Sequence, residues 1–123
     1  MKVLLSIKPE FAESILEGEK RFEFRKTIFR NKDVKTVVIY ATMPVGKVIG
    51  EFDIAEILSS EPSDLWKATK KYAGITRCFF DEYFAEKNKA FAIVVKDPKR
   101  YDKPLHLSEL LPGAVPPQSF RYI

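Results

Sequence analysis

Residues 18–25 read Gly-Glu-Lys-Arg-Phe-Glu-Phe-Arg and bring a lysine, a glutamate and an arginine into one short segment. Lys20 and Arg25 can each meet a phosphate or a carbonyl oxygen, and Glu23 can accept from an exocyclic amine or shuttle a proton. In an extended strand Arg21, Glu23 and Arg25 share one face, and Phe22 and Phe24 take the other. Lys20 falls by parity on the aromatic side, but the turn beginning at Gly18 can re-aim it toward the charged row. On an edge strand the same residues would form an exposed ion-pair row of little energetic value. The segment therefore reads either as a solvated edge or as one wall of a cleft.

The surrounding sequence predicts how this segment is held. Val3 to Ile7 is a short apolar run that predicts a buried strand, and Pro9 suits the first turn of a helix after it. Phe11, Ala12, Ile15 and Leu16 recur at helical spacing from Glu10 to Glu17, and Gly18 stands where a C-terminal cap is wanted. Thr36–Thr42 is rich in β-branched residues and predicts a central strand, followed by an antiparallel partner over residues 47–57 bent at Gly50. A second helix is expected to start behind Ser63 or Asp64 and run to about Tyr72, and a third to lie between Thr76 and Glu86. Lys89–Lys96 predicts a late strand, separated by Asp97-Pro98 from a weaker one over residues 101–107. A turn of helix at Ser108–Leu111 and a closing strand over residues 119–123 complete the chain. Short strands with a few helices inserted predict an α+β fold with a small mixed sheet or barrel, not a doubly wound one.

The 123 residues predict one domain, residues 1–123. With 46% hydrophobic residues, including ten Phe and five Tyr, the chain can bury a real core. The formal net charge of +4 favours anionic partners without amounting to a polybasic tail. One cysteine, Cys78, excludes an intrachain disulfide, and a single histidine leaves no ordinary structural zinc site, so neither metal nor cofactor is expected. No apolar segment approaches the length of a signal core or a membrane span, which predicts a cytoplasmic protein with no membrane partner.

Gly18, Lys20, Glu23 and Arg25 together match a G-x-K-x-x-E-x-R signature. With the Leu5-Ser6-Ile7-Lys8-Pro9 opening, the helix ending in Gly18, the Ile39–Thr42 strand end before Pro44, and the Pro117–Phe120 segment, the chain resembles the ASCH family. That resemblance covers most of the chain. It implies a small PUA-like mixed β-barrel with helices inserted between strands, and a cleft that binds RNA or a nucleotide-like ligand. Lys20, Glu23 and Arg25 would then be ligand-binding residues. Ser6 and Lys8 at the end of the first strand could extend an anion site, although Lys8 reads equally well as a solvated residue before a proline.

Thr42 could hydrogen-bond a ligand from the end of the central strand, whereas Tyr40 on the same face reads better as core. Phe79, Phe80, Tyr83 and Phe84 could offer a stacking platform, but aromatic residues at helical spacing more often fill a core, and Tyr83, with its polar tip, is the one carried forward as a ligand-binding candidate. Glu82 is a second carboxylate on what reads equally well as a solvated helix face. Cys78 and His106 are too far apart in sequence to suggest a nucleophile pair. The lysines and arginines of residues 26–35 and 67–71 could track a phosphate backbone if the fold brought them to one side, but read first as solubility residues.

Three function classes follow. The first is an RNA- or nucleotide-binding domain gripping an anionic or modified-base ligand at the motif. The second is an amidohydrolase resembling the family branch that deacetylates N4-acetylcytidine, with Glu23 as base and Lys20 facing the developing oxyanion. In that branch a hydroxyl residue stands where this chain has Glu23. The third is a transcription-related protein-interaction domain with a protein partner. The sequence leaves the oligomeric state open.

Overall fold

The computed structural model describes residues 1–123. The chain forms strands β1 (Lys2–Ile7), β2 (Phe22–Arg25), β3 (Thr36–Ala41), β4 (Lys47–Ser60), β5 (Ala90–Leu105) and β6 (Arg121–Tyr122). Between them lie helices α1 (Pro9–Leu16), α2 (Pro62–Thr69), α3 (Arg77–Tyr83) and α4 (Leu107–Leu110), and a 3₁₀ turn at Lys70–Tyr72. The strands make one curled six-stranded half-barrel in the order β2-β5-β4-β3-β1-β6. β1 runs parallel to β3, and every other pairing is antiparallel.

The curl comes from β4 and β5, which are too long to stay flat. Their register shifts three times, and at Phe52 two residues of β5, Asp97 and Pro98, stand opposite one of β4. Such bulges bend the strand and increase its twist. Gly50 lies at another shift, and a Cβ there would be 2.6 Å from the Lys99 carbonyl oxygen and 2.8 Å from Leu16. This close approach lets the sheet wrap onto α1.

Both faces of the central strands are buried. Val3, Leu5 and Ile7 of β1 join Val37 and Ile39 of β3 and Ala12 and Ile15 of α1 in the largest core. Leu4, Val38 and Tyr40 face the other way, onto Leu107 of α4. A separate aromatic core packs Phe24 of β2 against Phe80 of α3, Phe84 at the C-cap of that helix, and Leu65 of α2. That core ties α3 across the end of β2.

Several boundaries differ from expectation. The N-cap of α2 is Glu61, with Pro62 opening the helix, so Ser63 and Asp64 lie within its first turn. The expected break at Asp97-Pro98 is absent, and β5 runs on through it to Leu105. Proline is tolerated because it sits in the bulge, where no ladder amide is needed. The closing strand shrinks to Arg121–Tyr122. Arg21 precedes β2 instead of joining its charged row, and its guanidinium stacks 3.9 Å from the centroid of the Tyr72 ring.

Candidate functional site

β2 and β6 are the two edges of the sheet, so β1 and β2 approach each other without strand pairing. The C-terminal segment crosses this seam. The Ser6 hydroxyl donates to the Pro117 carbonyl at 2.7 Å, and Arg25 Nη2 donates to the Ser119 carbonyl at 2.5 Å. A cleft of about 300 Å³ opens here, floored by the motif and walled by α1 and α3. Ser6, Lys8, Lys20, Glu23, Arg25 and Tyr83 all line it.

The local sequence explains how Lys20 enters the cleft. α1 begins at Pro9 and ends at Leu16 with Glu17 as its C-cap, after which Gly18 turns with φ +83° and the Lys20 amide donates to the Ser14 carbonyl. The chain therefore doubles back under the helix before β2 starts. The Lys20 side chain runs past Gly74, where an added Cβ would stand 2.5 Å from Lys20 Cγ. It is 1% exposed and donates to the Ala73 carbonyl at 2.6 Å. Its ammonium lies 4.8 Å from the Phe24 ring centroid and 5.3 Å from that of Phe11. Parity had put Lys20 with the aromatic residues; it packs against Phe24 and still lines the cleft.

The charges of the site are thinly compensated. Glu23 is 6% exposed, and its only ion-pair contact is from Arg25 Nη1 at 3.4 Å. Lys20 takes part in no salt bridge. Desolvation lowers the Lys20 ammonium to a pKa of about 8, against the opposing pull of Glu23. Burial likewise raises the Glu23 carboxyl above its ordinary value, opposed by Arg25 and Lys20. The Tyr83 phenol is also raised, chiefly by burial, with Arg25 acting the other way. The two shifts draw a buried acid and a buried base toward neutral pH from opposite directions, an arrangement suited to proton transfer and to gripping an anion or a polar base edge.

Thr42 is the one proposed ligand residue that does not line the cleft. Its amide donates to the Ile7 carbonyl at 3.0 Å, which pins the end of β1. Glu82, Cys78 and His106 are exposed and lie off the cleft, and Tyr40 is core. Sequence reasoning set Phe79 aside as core and missed Ile7, Phe11, Phe24, Ile75 and Gln118, and these six complete the lining. Phe79 carried a signal in the aromatic run of α3, but its spacing does not tell a core-facing ring from one facing a cleft. Gln118 had none beyond its place in the Pro117–Phe120 segment.

The fold and the cleft define a PUA-like α+β domain with a polar site at its open seam. The chain belongs to the ASCH domain family, whose model matches residues 5–99. It is 32% identical over 124 residues to an ASCH domain-containing ribonuclease of Zymomonas mobilis, covering 99% of this chain and 84% of that one. The crystal structure of ASCH from Zymomonas mobilis superposes with a TM-score of 0.91 at 30% identity, covering 99% of this chain and 87% of that one. The large ribosomal subunit protein uL22 of Ureaplasma parvum is 34% identical over 124 residues, covering 98% of this chain. This chain spans only 39% of the length of that relative.

Proposed function

We propose that this protein binds RNA and seats one nucleotide in the cleft between β1 and β2. The observation that carries this reading is the burial of Lys20 and Glu23 in the lining of the cleft, Lys20 with no salt bridge and Glu23 with a single one, to Arg25 at 3.4 Å. Burying charge is costly, and a purely structural role would call for tight pairing inside the protein. Arg25 and Lys20 serve the phosphate or a carbonyl oxygen, and Glu23 the edge of the base. A 300 Å³ cavity is at the small end of ligand sites and suits a single nucleotide better than a duplex. The polar, concave site favours a ligand over a coactivator-type protein surface, and the ribonuclease relative supports RNA as the ligand.

The test is fluorescence anisotropy with a labelled single-stranded RNA dodecamer at 50 and 200 mM salt. Binding should weaken with salt, and Arg25→Gln and Lys20→Met should each cost about tenfold or more, the scale of a charged hydrogen bond. No binding at 50 mM, or binding indifferent to both substitutions, would sink the proposal.

The shifted Lys20 and Glu23 favour a second reading, catalysis on the bound nucleotide. Glu23 would take the proton of an attacking hydroxyl or water, while the Lys20 ammonium faces the developing negative charge. The attacked group would be a phosphodiester in an RNA nuclease and the acetyl amide of N4-acetylcytidine in an amidohydrolase. Incubation with each substrate separates the two, with Lys20→Met as control. Turnover no faster than that of the variant on both would leave a binding protein.

A further inference from the structure

Phe79 and Tyr83 stand one turn apart on α3, with ring planes within 13° and centroids 6.5 Å apart. Both line the cleft, and neither is fully buried. Each carries an ammonium over its ring. Lys8 Nζ is 5.0 Å from the Phe79 centroid, and Lys26 Nζ is 4.7 Å from that of Tyr83. These lysines follow directly on β1 and β2, the two strands that bound the seam. Both are exposed, and neither enters a salt bridge.

We infer that Phe79 and Tyr83 form a stacking platform for the nucleotides of a single strand that continue out of the cleft, with Lys8 and Lys26 shifting from the rings to the flanking phosphates. The inference rests on the cleft binding a nucleotide. A cation over a partly exposed ring is the weaker contact, and stacking of a base on an aromatic side chain the stronger. Exchange of ammonium for base is therefore favourable, and the released charge stays within reach of the backbone that the base brings with it. Near-parallel rings would hold successive bases in a common orientation. A duplex cannot use the platform, because its bases are already stacked and paired.

The experiment compares uridine 5′-monophosphate with tetrauridylate by isothermal titration calorimetry at 50 mM salt, for the wild type, Phe79→Leu, Tyr83→Leu and Tyr83→Phe. The wild type should bind the tetranucleotide more tightly than the mononucleotide. Each leucine variant should lose about fivefold or more of that length-dependent gain, while Tyr83→Phe, which keeps the ring, retains it. The double variant Lys8→Gln/Lys26→Gln disturbs no core packing and should lower the slope of log affinity against log salt for the tetranucleotide by about 1.4. A gain that survives both leucine variants overturns the platform even when the mononucleotide binds. So does an unchanged slope, or a blunt duplex that binds as tightly as the tetranucleotide. Failure of every ligand, the mononucleotide included, removes the cleft reading as well.

Discussion

Two groups of charged residues in this small fold differ in their solvation: the cleft set of Lys20, Glu23 and Arg25, and the surface set of Glu13, Arg100, Lys2 and Glu51. The surface set is well paired. Arg100 reaches both carboxylate oxygens of Glu13, and Lys2 meets Glu51 at 3.3 Å. In the cleft set Lys20 and Glu23 are buried and Arg25 is half-buried, and the three charges share one ion pair, Arg25 to Glu23 at 3.4 Å. Good geometry in water gives little net stabilisation, because solvent serves the separated charges nearly as well. A buried charge left without a full set of partners keeps unspent electrostatic potential, which is what a ligand can use. Pairing distance is thus a weak guide to function, and desolvation a strong one.

The largest effect that would sharpen this contrast is expected at a glycine. Gly74 and Gly18 both have positive φ, but only Gly74 touches the buried lysine, while nothing lies within 4 Å of a Cβ at Gly18. Gly18→Ala should cost about 1–2 kcal/mol from backbone strain alone. Gly74→Ala adds a clash with the Lys20 stem and should cost about 2–5 kcal/mol in urea unfolding, with loss of RNA binding. Equal costs at the two sites would show that Lys20 is not held as described.

Lys20 itself comes next. Its folded pKa lies below the unfolded value, so the folded state binds fewer protons than the unfolded state between about pH 8 and 10.5. The charged lysine therefore weakens the fold below pH 8, and stability is regained as pH rises through that window, by about 2–3 kcal/mol. Lys20→Met should remove this rise. Unfolding curves of both proteins from pH 7 to 10 check it, and parallel pH profiles would break the contrast between buried and surface charge. RNA affinity should fall over the same rise in pH as the ammonium is lost, and Lys20→Met should abolish that dependence as well.

Arg25 tests the seam. It bridges Glu23 and the Ser119 carbonyl, so Arg25→Gln removes one tie to the C-terminal segment, which Ser6 still holds through Pro117, and leaves Glu23 without its guanidinium. Stability at pH 7 should fall by about 1–2 kcal/mol. The loss should shrink as pH falls, because protonated Glu23 has less need of a cation. The carboxyl is already raised by burial, and removing Arg25 raises it further, so the recovery sets in at a higher pH than an ordinary carboxylate would give. A loss independent of pH would mean that Arg25 acts through Ser119 alone.

Much of this arrangement was written locally in the chain. Pro9 and Gly18 bracket α1, the β-branched run of Thr36–Ala41 forms a central strand, and Gly50 marks a bend. The motif residues also come together as expected, with Ser6, Lys8 and Tyr83 around them. What was not legible depends on contacts between distant segments. Pro98 reads as a strand breaker until β4 supplies a bulge for it, and Arg21 reads as part of the charged row until Tyr72 captures it. The burial of Lys20 depends on Ala73 and Gly74, more than fifty residues away, and no spacing within the motif announces it. Local sequence specified which groups could do chemistry, while the distant contacts specified their solvent exposure and hence their proton affinity.

The smallest predicted effect is at the best-formed ion pair. Arg100 and Glu13 hold each other's charge, since the hydrogen bonding that Arg100 donates and Glu13 accepts lowers the Glu13 carboxyl and raises the Arg100 guanidinium. Both side chains are about half exposed, at 48% and 47%, so solvent screening discounts the attraction heavily. Arg100→Gln should cost less than about 1 kcal/mol at low salt and nothing measurable at 1 M. Because Glu13's folded pKa is depressed, the stabilisation is present above its unfolded pKa and disappears as pH falls through the folded one. RNA affinity should not change, since neither residue lines the cleft. A cost at pH 7 comparable to that of Arg25→Gln, or a matching loss of RNA affinity, would erase the distinction between the two sets, because it would make pairing distance rather than burial the controlling variable.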